Sequence, residues 1–330
     1  MSTHLTIGAY AYEHTEALFD GRVGVDGVDT TFETAPLVSD IFRGMCEGRY
    51  DVAEFGLTYF LRTFDLDDAP FVALPVFPNR NFRHSAVYVN SAAGIRKPED
   101  LAGRTIGEFA LYGHDAGVWP KGILSDEYGV TPDQCRWVIG GTDHPVPAFD
   151  WIPQPVPAGV DVRHAPDGRT LSAMLESGEI DALISVDVPR AVLNGSPEVA
   201  RLFPDHETVE RDYYRRTGIF PPMHLVAVRR ELAHRTDLLQ AVYRAFGEAK
   251  DLAQRKYLKD AAKQHMSLVT PWFSKLFEEN LRLLGEDWWP YGVAANRKAV
   301  DTFLRYHHEQ GLSRRLLTSD DIFVPEFLGT

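Results

Sequence analysis

Gly48-Arg49-Tyr50-Asp51-Val52-Ala53-Glu54-Phe55 and Gly178-Glu179-Ile180-Asp181-Ala182-Leu183-Ile184-Ser185 repeat one pattern. Each places a glycine past a helix-like stretch, then a residue of buried character, then an aspartate that opens a short apolar strand. The echo predicts two similar α/β lobes. In an open α/β sheet, ligands bind beyond the carboxyl ends of the strands. The two matched ends carry Glu54 and Asp187, so a ligand is expected there first. The length agrees, because 330 residues exceed what one core commonly holds and favour two domains.

Working outward from the first copy, residues 5–10 alternate as a strand. Ser39 can cap a helix with Ile41, Phe42 and Met45 on one face, and Gly48 stops it. A short apolar run over 72–77 leads into the basic loop Asn79-Arg80-Asn81-Phe82-Arg83-His84, and the strand that follows, 85–90, is expected to leave the first lobe. Residues 98–107 read as a short helix, a turn and a strand, and 116–128 have helical spacing ended by Gly129. Residues 140–160, rich in proline, glycine and aromatics, read as a long loop that covers the pocket. A helix over 171–176 and the Asp181 strand complete the second lobe, and Met223-His224-Leu225-Val226-Ala227-Val228 returns to the first. The chain therefore divides into 1–88 (first part of lobe 1), 89–223 (lobe 2) and 224–330 (return to lobe 1 plus C-terminal helices), with two crossings as a hinge. Helical stretches over 238–258, 271–284 and 297–310 are expected to pack on the first lobe.

Composition narrows the function. With 44% hydrophobic and 12% aromatic residues the chain can build proper cores, and no apolar run is long enough for a membrane span. A formal net charge of −13, with no local Lys/Arg block, argues against nucleic acid and membrane surfaces as partners. A small anion held by a few arginines remains open, as does a homo-oligomer. The start, Met1-Ser2-Thr3-His4-Leu5-Thr6, has no basic or apolar leader, so a cytoplasmic protein is expected. Cys46 and Cys135 lack metal-ligand spacing and read as buried reduced thiols, with a disulfide as the alternative.

This layout resembles the type II periplasmic-binding-protein fold, an α/β architecture that does not by itself fix an activity. Several stretches are more specific: Pro75-Val76-Phe77-Pro78, Phe82-Arg83-His84-Ser85, Gly168-Arg169-Thr170-Leu171-Ser172, Asp212-Tyr213-Tyr214-Arg215-Arg216-Thr217-Gly218-Ile219-Phe220-Pro221 and Asp287-Trp288-Trp289-Pro290-Tyr291-Gly292. Together, from about Leu5 to the Thr318 region, they resemble the 4,5-dihydroxyphthalate decarboxylase family. The resemblance implies a carboxy-lyase of aromatic catabolism and phthalate degradation, removing one carboxylate from 4,5-dihydroxyphthalate to give protocatechuate. One stretch departs from the family pattern by being more acidic, Asp187-Val188-Pro189-Arg190. Beside an anionic ligand, Asp187 must be paired, with Arg190 the candidate, or stay protonated. The rival reading is a non-catalytic solute-binding protein for aromatic carboxylates.

The implied chemistry has definite needs. An aryl carboxylate loses CO₂ only after the ring carbon bearing it is protonated, and a hydroxyl para to that carbon makes this feasible when a base draws its proton. The site needs an acid at the ring, a base at the catechol and cations on the carboxylates. His84, in the loop before a crossing, is the first acid or base candidate, against a role in bonding the hinge backbone. His14 and His224 are further candidates against capping and backbone roles, and Glu54 is a base or a histidine's partner, against a plain salt bridge. Arg83, Arg80, Arg215 and Arg216 can grip carboxylates through their planar forks. If their segment is extended, Arg215 and Arg216 point to opposite faces and only one enters the cleft. Tyr112, Trp119 and Tyr214 can flank a ring or pack in the core. Three histidines and a carboxylate could hold zinc or manganese, but no HxH or HExxH spacing, P-loop, GxGxxG or pyridoxal-phosphate lysine is present. Cofactor-free catalysis is expected.

Overall fold

The computed structural model describes residues 4–146, 149–155 and 157–330. Part of the loop read as a cover, at positions 147, 148 and 156, lies outside them, as do residues 1–3. Among the described residues there are eleven strands: β1 (His4–Gly8), β2 (Asp29–Glu33), β3 (Val52–Gly56), β4 (Phe71–Leu74), β5 (Val87–Asn90), β6 (Thr105–Phe109), β7 (Arg136–Gly140), β8 (Asp161–His164), β9 (Ala182–Ile184), β10 (Val199–Arg201) and β11 (His224–Arg229). They form two sheets, ordered β2-β1-β3-β11-β4 and β10-β5-β9-β6-β7-β8. In the first sheet β1 is parallel to β2 and β3, while β11 runs antiparallel between β3 and β4. Every residue of β3 is buried, as expected of a central strand covered on both faces.

The repeated pattern has a repeated cause. Gly48 and Gly178 each end a helix with positive φ, +79° and +78°, which glycine adopts without a Cβ clash. The aspartate then ties its strand to the neighbouring one: Asp51 Oδ2 accepts from Thr6 N at 2.9 Å, and Asp181 Oδ2 from Thr105 N at 2.9 Å. Strand β5 lies wholly in the second sheet, so the first crossing is complete by Val87, slightly before the expected boundary at 88. The two crossing segments bond to each other: Asn81 N donates to Pro221 O (3.1 Å) and Met223 N to Asn79 O (2.8 Å).

The C-terminal helices correct one expectation. Helix Thr236–Ala261 buries Leu239, Val242 and Phe246 on the first lobe, but helix Arg297–Glu309 packs on the second. There Tyr306 lies so close to Gly122 that a Cβ at that position would strike its ring, and Tyr306 Oη donates to Asp126 at 2.7 Å. An amphipathic face states that a helix packs, not on what. The chain then returns to the first sheet, where Phe323 bridges Ala73. The 140–160 loop reaches across as well: Phe149 and Trp151 pack on Tyr59, and Arg62 donates to Pro153 O (3.1 Å) and Gln154 Oε1 (2.9 Å). Cys46 and Cys135 are free thiols. Among the described residues no helix is long and apolar enough to cross a membrane.

Candidate active site

Glu54 is completely buried in β3 and accepts three hydrogen bonds. Tyr10 N donates to Oε2 (2.8 Å), while Tyr12 Oη (2.8 Å) and His224 Nδ1 (2.6 Å) donate to Oε1. The turn after β1 makes this possible: Thr15 Oγ1 donates to Tyr10 O (2.8 Å) and accepts from Tyr12 N (2.9 Å), which aims both tyrosines inward. His224 opens β11 directly opposite Gly56, and Phe42 meets its ring edge-on at 5.0 Å. With Nδ1–H committed to Glu54, the network assigns the imidazole tautomer that offers the Nε2 lone pair to a ligand. Asn79 Nδ2, on the hinge, donates to Tyr12 Oη at 3.1 Å. His14 stacks on Tyr12 (5.3 Å) and bonds Pro78 O through Nε2 (2.9 Å), and burial holds its basicity below the usual range.

The second lobe answers with the start of helix Asp115–Tyr128. His114 caps it, Nδ1 accepting from Ala116 N at 3.2 Å; burial, with Arg83 and His224 nearby, lowers this imidazole to about 3. Asp115 is 1% exposed and crosses the lobe boundary: its Oδ1 accepts from Thr58 N at 2.5 Å. Its Oδ2 is buried with no hydrogen-bond partner among the described residues. That oxygen sits where only glycine is tolerated opposite, since a Cβ on Gly56 would collide with it. Burial pushes the Asp115 carboxyl up to about 6, against the opposing pull of His224, the Thr58 bond, Arg62 and Arg83. Thr58 Oγ1 donates to Gly113 O (2.7 Å), and Arg62 Nη2 to Tyr112 O (2.9 Å) and Gly113 O (3.1 Å), so the lobes are closed on each other. Arg83 is 7% exposed, its Nε is buried without a partner, and no hydrogen bond holds its guanidinium among the described residues. Burial lowers it to about 10, with Asp115, Glu210 and Tyr88 as its electrostatic neighbours.

The structure thus brings together Glu54, His224, His14 and Arg83 of the expected residues and separates the others. His84 turns away from Arg83 into the second lobe, edge-on to Phe203 and Tyr213 (both 5.3 Å), with neither ring nitrogen bonded among the described residues and burial lowering it to about 4. Arg80 is consumed by the hinge, donating to Phe220 O (3.1 Å), Pro290 O (2.8 Å) and Asn296 Oδ1 (2.5 Å). The Arg215 and Arg216 segment is helix His206–Thr217, not an extended strand. Both are exposed, Arg216 gripping Glu127 (2.9 Å and 3.0 Å) and Asp212 (2.6 Å). Tyr214 meets Phe82 at 6.4 Å. Trp119 bonds Pro222 O (2.8 Å) in the core, and Tyr112 lies in the second lobe under Lys121, whose Nζ is 3.7 Å from its ring centroid. Asp187 and Arg190 are not paired: the neighbour that raises Asp187, after burial, is Asp143, which also accepts from Arg190 N at 3.1 Å.

Tyr12, Asn79, Thr58, His114 and Asp115 went unrecognised in the sequence. A signal existed: Tyr12-Glu13-His14-Thr15 follows β1 and Tyr112-Gly113-His114-Asp115 follows β6, strands at matching places in the two sheets. An open groove of about 550 Å³ lined by Met45, Cys46, Trp151 and Arg229 shares no residue with the cluster, so the site is assigned by its chemistry.

Among solved structures, the periplasmic aliphatic sulphonate binding protein of Escherichia coli superposes with TM-score 0.53 at 14% identity, covering 98% of this chain and 92% of that one. The alkanesulfonate-binding protein of Xanthomonas axonopodis pv. citri, bound to MOPS, gives 0.54 at 14% identity, over 97% and 98%. The architecture is therefore the two-lobed periplasmic-binding-protein-like α/β fold. No protein-family model matches the chain. The 4,5-dihydroxyphthalate decarboxylase of Comamonas testosteroni is 37% identical over 327 residues, 98% of this chain and 97% of that protein. The enzyme of the same name from Pseudomonas putida is 35% identical over 214 residues, 64% and 81% of the two chains. The chain belongs to the 4,5-dihydroxyphthalate decarboxylase family.

Proposed function

We propose that the protein is a carboxy-lyase that converts 4,5-dihydroxyphthalate to protocatechuate and CO₂ between its lobes, without a metal or organic cofactor and in the cytoplasm. The observation that carries this reading beyond family membership is the buried Glu54–His224 pair at 2.6 Å. Glu54 orients the ring and stabilises the imidazolium that forms when Nε2 takes the proton of the hydroxyl para to the departing carboxylate. Electron density pushed into the ring readies the para carbon for a proton from a separate acid. The C–CO₂ bond then breaks, its electron pair restores the aromatic ring, and His224 returns its proton to the catecholate. Arg83, buried and without a hydrogen bond to its guanidinium among the described residues, suits a substrate carboxylate that can make two parallel bonds to its fork. Chemistry supplied by the substrate's own hydroxyl leaves no step that requires an electron sink.

The test is CO₂ release by purified protein from 4,5-dihydroxyphthalate and from hydroxybenzoates, before and after chelation. Release that survives chelation is expected. Tight binding of the whole panel without turnover would establish the solute-binding alternative, and loss on chelation with rescue by one metal would overturn the cofactor-free reading.

A further inference from the structure

The reaction consumes one proton, which must reach the carboxyl-bearing carbon from a group that is not the catechol's base. Among the residues gathered at the closed lobes, His114 is spent as a helix cap, and His84 faces the second-lobe core. His14 is tied to Pro78 O, and Tyr12 is engaged with Glu54. One acidic oxygen is left uncommitted: Asp115 Oδ2, buried, without a partner among the described residues, and pressed against the Gly56 backbone opposite His224.

We propose that Asp115 is the proton donor to the ring carbon, and that closure of the lobes delivers it. The inference rests on the decarboxylase reading. Asp115 belongs to the second lobe and the Glu54–His224 pair to the first, so base and acid meet only when the Thr58 N–Asp115 Oδ1 bond forms across the boundary. That bond also turns Oδ1 away and leaves Oδ2 for the substrate. The proton passes from Oδ2 to the carbon, the carboxylate left behind is stabilised by nearby Arg83 and Arg62, and solvent reprotonates it when the lobes part. Charged and titratable groups facing it are His224, Arg62, Arg83 and Tyr59, with His114 beside it. With its carboxyl raised to about 6, the acid form is retained far closer to neutrality than an ordinary aspartate's.

The experiment compares Asp115→Asn and Asp115→Glu with wild type, measuring CO₂ release, phthalate binding by calorimetry, and the pH profile of kcat/KM. Asp115→Asn keeps the acceptor for Thr58 N and removes the proton, so turnover should fall by about 10²- to 10⁴-fold with phthalate affinity retained. The fall of wild-type kcat/KM as pH rises through about 6 should vanish in the residual rate of Asp115→Asn and move in Asp115→Glu. Near-normal turnover in a folded Asp115→Asn, or lost phthalate binding that accounts for the whole defect, overturns the role. Should Asp115→Asn fail to fold, an unmoved alkaline limb in Asp115→Glu overturns it equally. If wild type releases no CO₂ from any panel member, the decarboxylase reading itself has failed, an outcome separate from normal turnover in Asp115→Asn.

Discussion

The two lobes are near copies in frame and opposites in chemistry. The first sheet runs β2-β1-β3-β11-β4, and the second contains the same series as β7-β6-β9-β5-β10, with β8 added outside β7. Both carry the positive-φ glycine, the aspartate bonded to the neighbouring strand, and a Tyr-x-His turn after the matching strands β1 and β6. Yet where the first lobe has Glu54 the second has Ile184, and where the first has Thr15 the second has Asp115. Tyr12 donates to Glu54, whereas the Tyr112 hydroxyl is buried without a partner among the described residues. What repeats holds the backbone, and what fails to repeat includes the residues proposed as acid, base and the base's support.

The largest expected effect breaks this asymmetry at its strongest point. His224→Asn and Glu54→Gln should each lower CO₂ release by about 10²- to 10⁴-fold. Ser185→Ala, at the matching strand end of the second lobe and bonded there to Thr142 at 2.6 Å, should leave it nearly unchanged. A comparable loss from Ser185→Ala would mean that the strand end of the second lobe takes part in the chemistry as well. The symmetric part is tested by stability: Asp51→Ala and Asp181→Ala should each destabilise by about 1–3 kcal/mol in urea unfolding, since each removes a charged acceptor from a strand N–H. A large loss in one alone would show the sequence repeat to be energetically hollow.

The smallest effect on turnover should come from His84→Phe, because His84 touches Phe203 and Tyr213 rather than the base. Its consequence lies in pH. Burial lowers the folded His84 to about 4, below an unfolded histidine near 6.5, so the unfolded chain binds the extra proton first. His84 therefore withdraws stability as pH falls from about 6.5 towards 4, and His84→Phe should shallow that decline in thermal melts. A large drop in turnover from a folded His84→Phe would return that residue to the active site.

The frame was legible because its signals are local. Gly48 and Gly178 stop helices by backbone conformation, and an aspartate opening a buried strand announces itself in four residues. Side-chain direction was not legible. Arg83 and His84 are adjacent, yet one stays without a hydrogen bond among the described residues near Asp115 while the other enters the second-lobe core, because a tight 3₁₀ turn begins between them. Asp115 was hidden for another reason: an acidic residue in the first turn of a helix is ordinary there, since it complements the helix dipole. Its partners, Thr58 and Gly56, are more than 50 positions away, and only the fold reveals them. The opposite-face argument for Arg215 and Arg216 held only for an extended segment, whereas both lie in the helix His206–Thr217.

The position of β11 governs how the chain is made. This strand lies inside the first sheet, between β3 and β4, yet it follows the entire second lobe in sequence. As the protein leaves the ribosome, Glu54 waits 170 residues for His224. At about 5–20 residues per second that is on the order of 10–30 s, during which β3 and β4 have apolar, unpaired edges. The second lobe, continuous from β5 to β10, can finish first and act as the template that brings β11 home. Chain termination anywhere before β11 leaves the amino-terminal lobe without the strand that joins β3 to β4, an aggregation-prone fragment rather than a half-active enzyme.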